Sequence, residues 1–588
     1  MCVAENDNNI LKGKETKILV FLALFVFMVH VWHVTEIGIF SVLDDEFGYW
    51  GIAAYFAGLD WSDAISEIPY YSYGYSLLLI PLFWIFDNPV YMYKAGIILN
   101  GILISSSFLL CYDMAKKLLK NVNMYILMGI SFAIAMYPAY LAYSSIAWPE
   151  CLLIFIFWLL TWCFLDLGQE SANYKFFLIG FLSIYMYTVH QRALGILIAS
   201  ILVVLIMKIL KNINYKQLLL TFLPIVILLC IHVYIKEIVQ SNLWLVSNGS
   251  LTNDYSAQVG KLIQLMSIDG LIRALRAFAG QFFYIGAASF LIAYFGLVEL
   301  AKIIGKAIRT ATKNRQLESL FEEPYFNLYA FLCIAFLLSI AINIVFMINP
   351  TRLDHLFYGR YIEMLIGPLI LLGLVFFIRN GINSSLAFWF VLGGFAVLSF
   401  VAHFIIQSSG LDTFHSMQAS GLQFIILGVL FPSLLAIMIC RLLYLSIAKN
   451  NGLKTLFSLS IVSLCFFLSG QLIVGSITDG NQDSMEIMEV AEYLKTLDNK
   501  TPVYFLWDAQ GNPDYGKWDN RNTSKRLVAD RYQFLLLDKP LILVDRSELD
   551  AIPGDKYVLL NEKRYLSELN RDYELRMSNR YSYLLSSK

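Results

Sequence analysis

Residues 43–50 read Leu-Asp-Asp-Glu-Phe-Gly-Tyr-Trp, and the three consecutive carboxylates Asp44, Asp45 and Glu46 follow directly on the first long apolar stretch, 18–40. Carboxylates at a membrane–water boundary cost desolvation energy, which makes a triplet kept there a candidate for function. A solvated acidic loop is the plain alternative. Two chemistries suit the triplet. A carboxylate against apolar surface, with another acid beside it, has its pKa raised toward the working range of a general base. Carboxylates also ligate a divalent cation such as Mg or Mn that neutralises a leaving phosphate, with Asp44 and Asp45 as the candidate ligands. The residues leave both open.

Glu150, in Ala147-Trp148-Pro149-Glu150, is a second acid at the start of an apolar stretch. A glutamate just after a proline also suits an ordinary helix start. Three basic residues stand at span ends that should carry few of them: Lys94, Arg192 in Val189-His190-Gln191-Arg192, and Arg360 in Gly359-Arg360-Tyr361. Arginine's forked donors match phosphate. Snorkelling toward lipid headgroups explains any one of them alone, but three from three loops favour an anion site. His190 and His355 each lie close to a candidate arginine. No histidine pair has the spacing of a zinc motif such as H-E-x-x-H. The run Tyr70-Tyr71-Ser72-Tyr73-Gly74-Tyr75 offers faces for a sugar, against the belt role of interfacial tyrosine. Tyr49, Tyr71, Tyr73, Tyr358 and Tyr361 are the candidate substrate contacts.

The elements that position these residues are membrane spans. Of 588 residues, 58% are hydrophobic and 15% charged, and the mean hydropathy is +0.63. That excludes a soluble globular protein and predicts a polytopic α-helical membrane protein. The first apolar run reads as a signal anchor rather than a cleaved signal peptide. A net charge of −1 gives no reason to expect a nucleic-acid partner. The eight cysteines fall almost all in apolar stretches, which predicts neither a disulfide framework nor a cysteine metal site.

Apolar runs of span length predict about thirteen transmembrane helices, near 18–40, 90–112, 124–143, 150–167, 175–190, 193–210, 217–235, 281–300, 326–348, 363–378, 386–407, 421–445 and 455–476. The run 75–86 covers roughly 18 Å, too short for a hydrocarbon core of about 30 Å. If it does not cross and residues 1–17 are cytoplasmic, the clusters Lys116/Lys117/Lys120, Lys208/Lys211/Lys216, Lys302–Arg315, Arg379 and Arg441/Lys449/Lys454 all lie inside. Counting it as a span exports every cluster after the first. The positive-inside rule therefore makes 75–86 a juxtamembrane or re-entrant helix. It puts the acidic loop 41–89 outside the cell membrane and exports the C-terminus.

Three domains follow: a cytoplasmic segment 1–17, a transmembrane catalytic region 18–478 and an extracytoplasmic unit 479–588. The last reads as α/β. It has an amphipathic helix over 484–497, short strands at 503–507, 541–544 and 557–560, a helical stretch around 525–537, and no glycine-rich phosphate loop.

The order of these features resembles the GT-C superfamily of membrane glycosyltransferases, in particular the bacterial branch related to protein O-mannosyltransferases and the lipid A aminoarabinose transferase. The resemblance rests on Asp45-Glu46 followed by Tyr49 and Ala53 after the first span. It rests further on Tyr73-Gly74-Tyr75-Ser76-Leu77 before the second span, on Lys94 where the family usually has arginine, and on Glu150 opening the fourth span. It covers most of residues 18–210. It implies a GT-C-like fold and inverting transfer of a sugar from a polyprenyl-phosphate carrier to a glycan, lipid or protein acceptor on the outer face. By the same resemblance Asp45 is the base, supported by Asp44 and Glu46. Lys94, Arg192 and Arg360 stabilise the departing phosphate, with His190 and His355 beside them. The chain departs from the family in its extra Asp44, and 236–280 carries no motif that matches. A polysaccharide polymerase or ligase would place its arginines in a large late loop rather than an acidic loop after span one. A lipid or polysaccharide transporter would show charges in mid-span and an internal repeat.

Overall fold

The computed structural model describes residues 2–588 except 42, 67, 169, 245–254, 382–384, 412–413, 415, 423–427, 449–450, 483–484, 498–500, 508–519, 562 and 570–571. Of the residues singled out in the sequence, the side chain of Asp44 lies outside those described.

Among the described residues, nine helices are long and apolar enough to cross a membrane, from Gly13–Thr35 to Gly452–Asn481, and the number is at most eleven if each of two bent pairs counts as one span. This makes the chain a multi-pass membrane protein. The expected thirteen are not reached, because the stretches 150–167 and 175–190 form the shorter helices Glu150–Leu165 and Asn173–Val189. The expectation of one span over 281–300 is corrected. Phe290 and Leu291 adopt φ of +50° and +64°, so the chain turns by 110° between Ile268–Ala288 and Ile292–Asn314. The other bend, 59° between Met124–Ala135 and Pro138–Ser144, has its cause at Pro138, which cannot continue the preceding helix and opens the next.

The run 75–86 folds as the ten-residue helix Ser76–Ile85. It packs along the acidic helix Leu43–Ala57, with the Ser76 hydroxyl donating to the Tyr49 carbonyl at 2.8 Å. The 30-residue helix Pro89–Leu118 then defines the two ends of the bundle. Near its start the Tyr93 hydroxyl donates to Glu46. At its other end, roughly 37 Å away at 1.5 Å per residue, the Leu118 carbonyl accepts from Arg379 at 2.9 Å. Lys117 pairs there with Asp113 and Asp166, and Lys306 with Glu323. Acidic loop and basic clusters thus occupy opposite ends.

The last hundred residues form a five-stranded mixed sheet of β1 (Val503–Leu506), β2 (Leu541–Val544), β3 (Tyr557–Leu560), β4 (Tyr573–Ser578) and β5 (Tyr583–Ser587), in the order β2-β1-β3-β5-β4. β1 runs parallel to β2 and β3, and β5 antiparallel to β3 and β4. The sequence predicted only the first three strands. β4 is an edge strand bearing Glu574 and Arg576, so it lacks the apolar run that marks its buried neighbours. Phe534, on the helix Asn520–Leu536 of this unit, belongs to the same apolar core as Phe40, Trp50 and Tyr93 of the membrane region.

Candidate active site

A cavity of about 330 Å³ opens where the acidic helix, the tyrosine run, the turn Gln191–Ala193 and the segment 346–361 meet. Nine of the residues chosen from the sequence line it: Asp45, Tyr49, Tyr71, His190, Arg192, His355, Tyr358, Arg360 and Tyr361.

Asp45 sits in the first turn of the acidic helix, with about a fifth of its side chain exposed. The Tyr71 hydroxyl donates to one carboxylate oxygen at 2.6 Å, and Arg360 binds the other. Burial alone pushes this carboxyl up. The Arg360 guanidinium and the Tyr71 hydrogen bond outweigh it and hold the group below the usual carboxylate range, so it is ionised. The raised pKa expected from the clustered acids is therefore corrected. Glu46 turns away from the cavity, and Arg360 pairs with the Asp45 carboxylate.

Glu46 lies behind the cavity, not on its wall. It is fully buried, accepts from the Ser41 backbone N–H at 2.8 Å, and takes the Tyr93 hydroxyl on its other oxygen. Adjacent residues on a helix point about 100° apart, so fixing Glu46 inward turns Asp45 toward the cavity.

Glu150 also sits behind the wall, where it holds the two arginines. It binds Arg192 with one oxygen and accepts from Arg360 Nε at 2.6 Å with the other. All three side chains are buried to within a few per cent. The guanidinium of Arg360 lies 4.2 Å from the Trp148 ring centre, and that of Arg192 lies 5.0 Å from that of Tyr361. Arg192 keeps Nε and Nη1 without a hydrogen-bond partner among the described residues. Buried guanidinium donors of this kind suit an anion with several acceptor oxygens.

His190 accepts the Arg192 backbone N–H on Nδ1 at 3.2 Å. Burial, with Arg192 and Arg360 beside it, holds the ring well below the ordinary histidine range, so it is a neutral imidazole that offers Nε2–H to a ligand. His355 accepts on Nδ1 from the Thr351 backbone at 3.2 Å.

Two expected site residues lie elsewhere. Lys94 donates to the Thr35 carbonyl at 3.1 Å and does not line the cavity, because its position on the long helix faces the end of the first span. Tyr73 stacks on His232 at 5.6 Å and meets its Nδ1 at 3.3 Å, on the far side of the tyrosine run. Sequence reasoning missed Lys261 and Arg352, which do line the cavity. Arg352 forks onto Asp354 at 3.1 and 3.0 Å. Lys261 donates to the Phe346 carbonyl at 2.9 Å, and burial lowers its pKa. Arg352 breaks the same charge rule that singled out Arg360, only eight residues earlier. Lys261, on the helix Tyr255–Gln264, left no such signal.

A divalent cation held by Asp45 would share its oxygens with the Tyr71 hydroxyl and with Arg360, whose positive charge opposes it. Among the described residues no three His, Cys, Asp or Glu side chains come together as a metal site.

No family model and no curated protein matches the sequence. Solved structures of ArnT from Cupriavidus metallidurans share the fold. The form bound to undecaprenyl phosphate aligns with a TM-score of 0.50 at 11% identity, covering 97% of each chain. The apo form aligns with a TM-score of 0.50 at 12% identity, covering 98% of each. The chain thus shares the overall fold of these ArnT structures, a multi-pass helical bundle with a small C-terminal sheet region.

Proposed function

We propose that this chain is a membrane glycosyltransferase that moves a sugar from a polyprenyl-phosphate carrier to an acceptor on the outer face, with inversion and with Asp45 as the base. The observation that carries the reading is an ionised Asp45 on a cavity wall beside two arginines that a single buried glutamate holds. The fold shared with ArnT, a protein solved with undecaprenyl phosphate, supports the choice of donor.

In this reading the phosphate of the donor takes the open donors of Arg192, together with His190 and His355. An acceptor hydroxyl attacks the anomeric carbon from the side of Asp45. The oxygen–carbon bond forms as the bond to the phosphate oxygen breaks, the hydroxyl proton passes to Asp45, and the carrier leaves as polyprenyl phosphate. A carboxylate gripped by arginine is a weak base. Arg360 touches Asp45 through Nη1 and Glu150 through Nε, so an arriving phosphate competes for the Nη1 end and loosens the grip while Glu150 keeps the guanidinium in place. Tyr49, Tyr71, Tyr358 and Tyr361 supply ring faces to the sugar.

The test is single-turnover release of free polyprenyl phosphate from a labelled membrane extract of lipid-linked sugars, for wild type and Asp45→Asn, with and without EDTA. Release lost in the variant and kept in EDTA is the expected result. Loss in both would make Asp45 a cation ligand. Release unchanged by the substitution would remove Asp45 from the chemistry.

A further inference from the structure

Residues 36–41 link the first span to the acidic helix without belonging to either, and three of their backbone groups are satisfied by side chains from the far end of the chain. Asn481 accepts from the N–H groups of Gly38 and Ile39 at 3.0 and 3.1 Å and donates to the Ser41 hydroxyl. Arg531 donates through Nε and Nη2 to the Phe40 carbonyl, at 3.2 and 3.0 Å. The Ser41 N–H in turn goes to Glu46.

Aromatic packing closes the same joint. Phe534, one turn from Arg531, lies 4.5 Å from Phe40 and 5.3 Å from Trp50 between ring centres. Trp61 Nε1 donates to the Leu537 carbonyl at 2.7 Å.

Arg531 is buried, and its charge acts on Glu46. It therefore holds the segment that leads into the acidic helix, at the carbonyl five residues before Asp45, and its charge acts on the acid beside Asp45 whose inward orientation turns Asp45 outward.

We propose that Arg531 is a positioning residue for Asp45, and that the C-terminal unit works as a brace for the active site and not as a separable docking module. This rests on the function proposed above. The brace acts at a distance, since no atom of Arg531 lines the cavity. Its effect falls on the step that uses Asp45 and spares the phosphate site, which is built from Arg192, His190 and Glu150.

The experiment compares full-length wild type, Arg531→Gln, Arg531→Lys and Arg546→Ala in lipid nanodiscs. Arg546 pairs with the half-exposed Asp550, makes no hydrogen bond to residues 36–50 among the described residues, and serves as the control. Three quantities are read: single-turnover release from the labelled extract, binding of undecaprenyl phosphate, and hydrogen exchange over residues 38–50.

Arg531→Gln is expected to slow release by on the order of 10²-fold, the effect of displacing a reacting group by about an ångström. Undecaprenyl phosphate binding should stay as in wild type while exchange over 38–50 rises. Arg531→Lys, which keeps the charge and one donor, should recover much of the rate, and it carries the test if the glutamine variant does not fold. Arg546→Ala should match wild type throughout.

Slowed release without faster exchange, faster exchange without slowed release, or equal loss of phosphate binding would each overturn the brace. Failure of the underlying function is read separately, from Asp45→Asn. If that variant turns over normally, the reading of the site is wrong whatever Arg531 does.

Discussion

At the scale of single residues, the site is a chain of charges in which each group is held by the next. Glu150 fixes Arg192 and Arg360, Arg360 grips Asp45, and Tyr71 grips its other oxygen. Breaking a buried pair by neutralising one member costs about 3–5 kcal/mol, because the remaining charge is left without compensation. The pH dependence follows with its sign. Burial raises the Asp45 carboxyl, but Arg360 and Tyr71 prevail and set it below the usual carboxylate range. The ionised form therefore contributes stability above the ordinary carboxylate pKa, and that contribution is lost as pH falls through the depressed value. Turnover that uses this carboxylate should fall over the same acid window. Tyr71→Phe deletes one donor to the charged form and so raises the pKa. The acid limb of the release rate, recorded against pH, is expected to move to higher pH. An unmoved limb would show that Tyr71 does not hold the reacting form.

At the scale of elements, the acidic helix owes its fit to a glycine. A Cβ at Gly48 would stand 2.0 Å from Cδ2 and 2.7 Å from Cγ of Tyr71, the ring whose hydroxyl reaches Asp45. On helix propensity alone Gly48→Ala should stabilise by up to about 1 kcal/mol. The overlap instead predicts a loss of about 1–3 kcal/mol in thermal unfolding, with the acid limb shifted as in Tyr71→Phe. In a Tyr71→Ala background the same substitution should be neutral or stabilising, since the clash has gone. A destabilisation that persists there would place its cause elsewhere. Much of this site was legible in sequence. Arg192 and Arg360 stood out by defying the charge rule, and Asp45 and Glu150 stood out as acids at span ends. The division of labour between the acids was not legible. Glu46 and Glu150 face inward because of Tyr93 and the arginines, partners that lie 47, 42 and 210 residues away along the chain. Lys94 stood at a span end as the arginines did, and the packing of its helix turned it to Thr35.

At the scale of the whole molecule, apolar runs of span length were enough for a multi-pass helical fold, and their failures were local. The backbone reversal at Phe290 and Leu291 leaves no mark in hydropathy, and the edge strand β4 hides behind its charges. The clasp of Arg531 on Phe40 spans 491 residues and is invisible to any local pattern. Which end faces which compartment is a separate matter, and charge decides it. The bundle gathers Lys117, Lys306 and Arg379 at one end and Asp45, Arg192 and Arg360 at the other. The second end is not poor in cations, but Arg192 and Arg360 are matched there by Glu150 and Asp45, whereas the loops near Arg309 and Lys313 carry an excess. The positive-inside rule counts such short-loop excess, so the Asp45 end is predicted to face outward together with the C-terminal unit. Two exposed positions test this: Asp555 in the turn before β3, and Lys313 near the end of the helix Ile292–Asn314. In a chain whose native cysteines are replaced by serine, Asp555→Cys should react with a membrane-impermeant maleimide in intact cells. Lys313→Cys should react only after the membrane is opened. The reverse pattern would turn the cavity to the cytoplasm, and with it the acceptor, the donor leaflet and the compartment of the reaction.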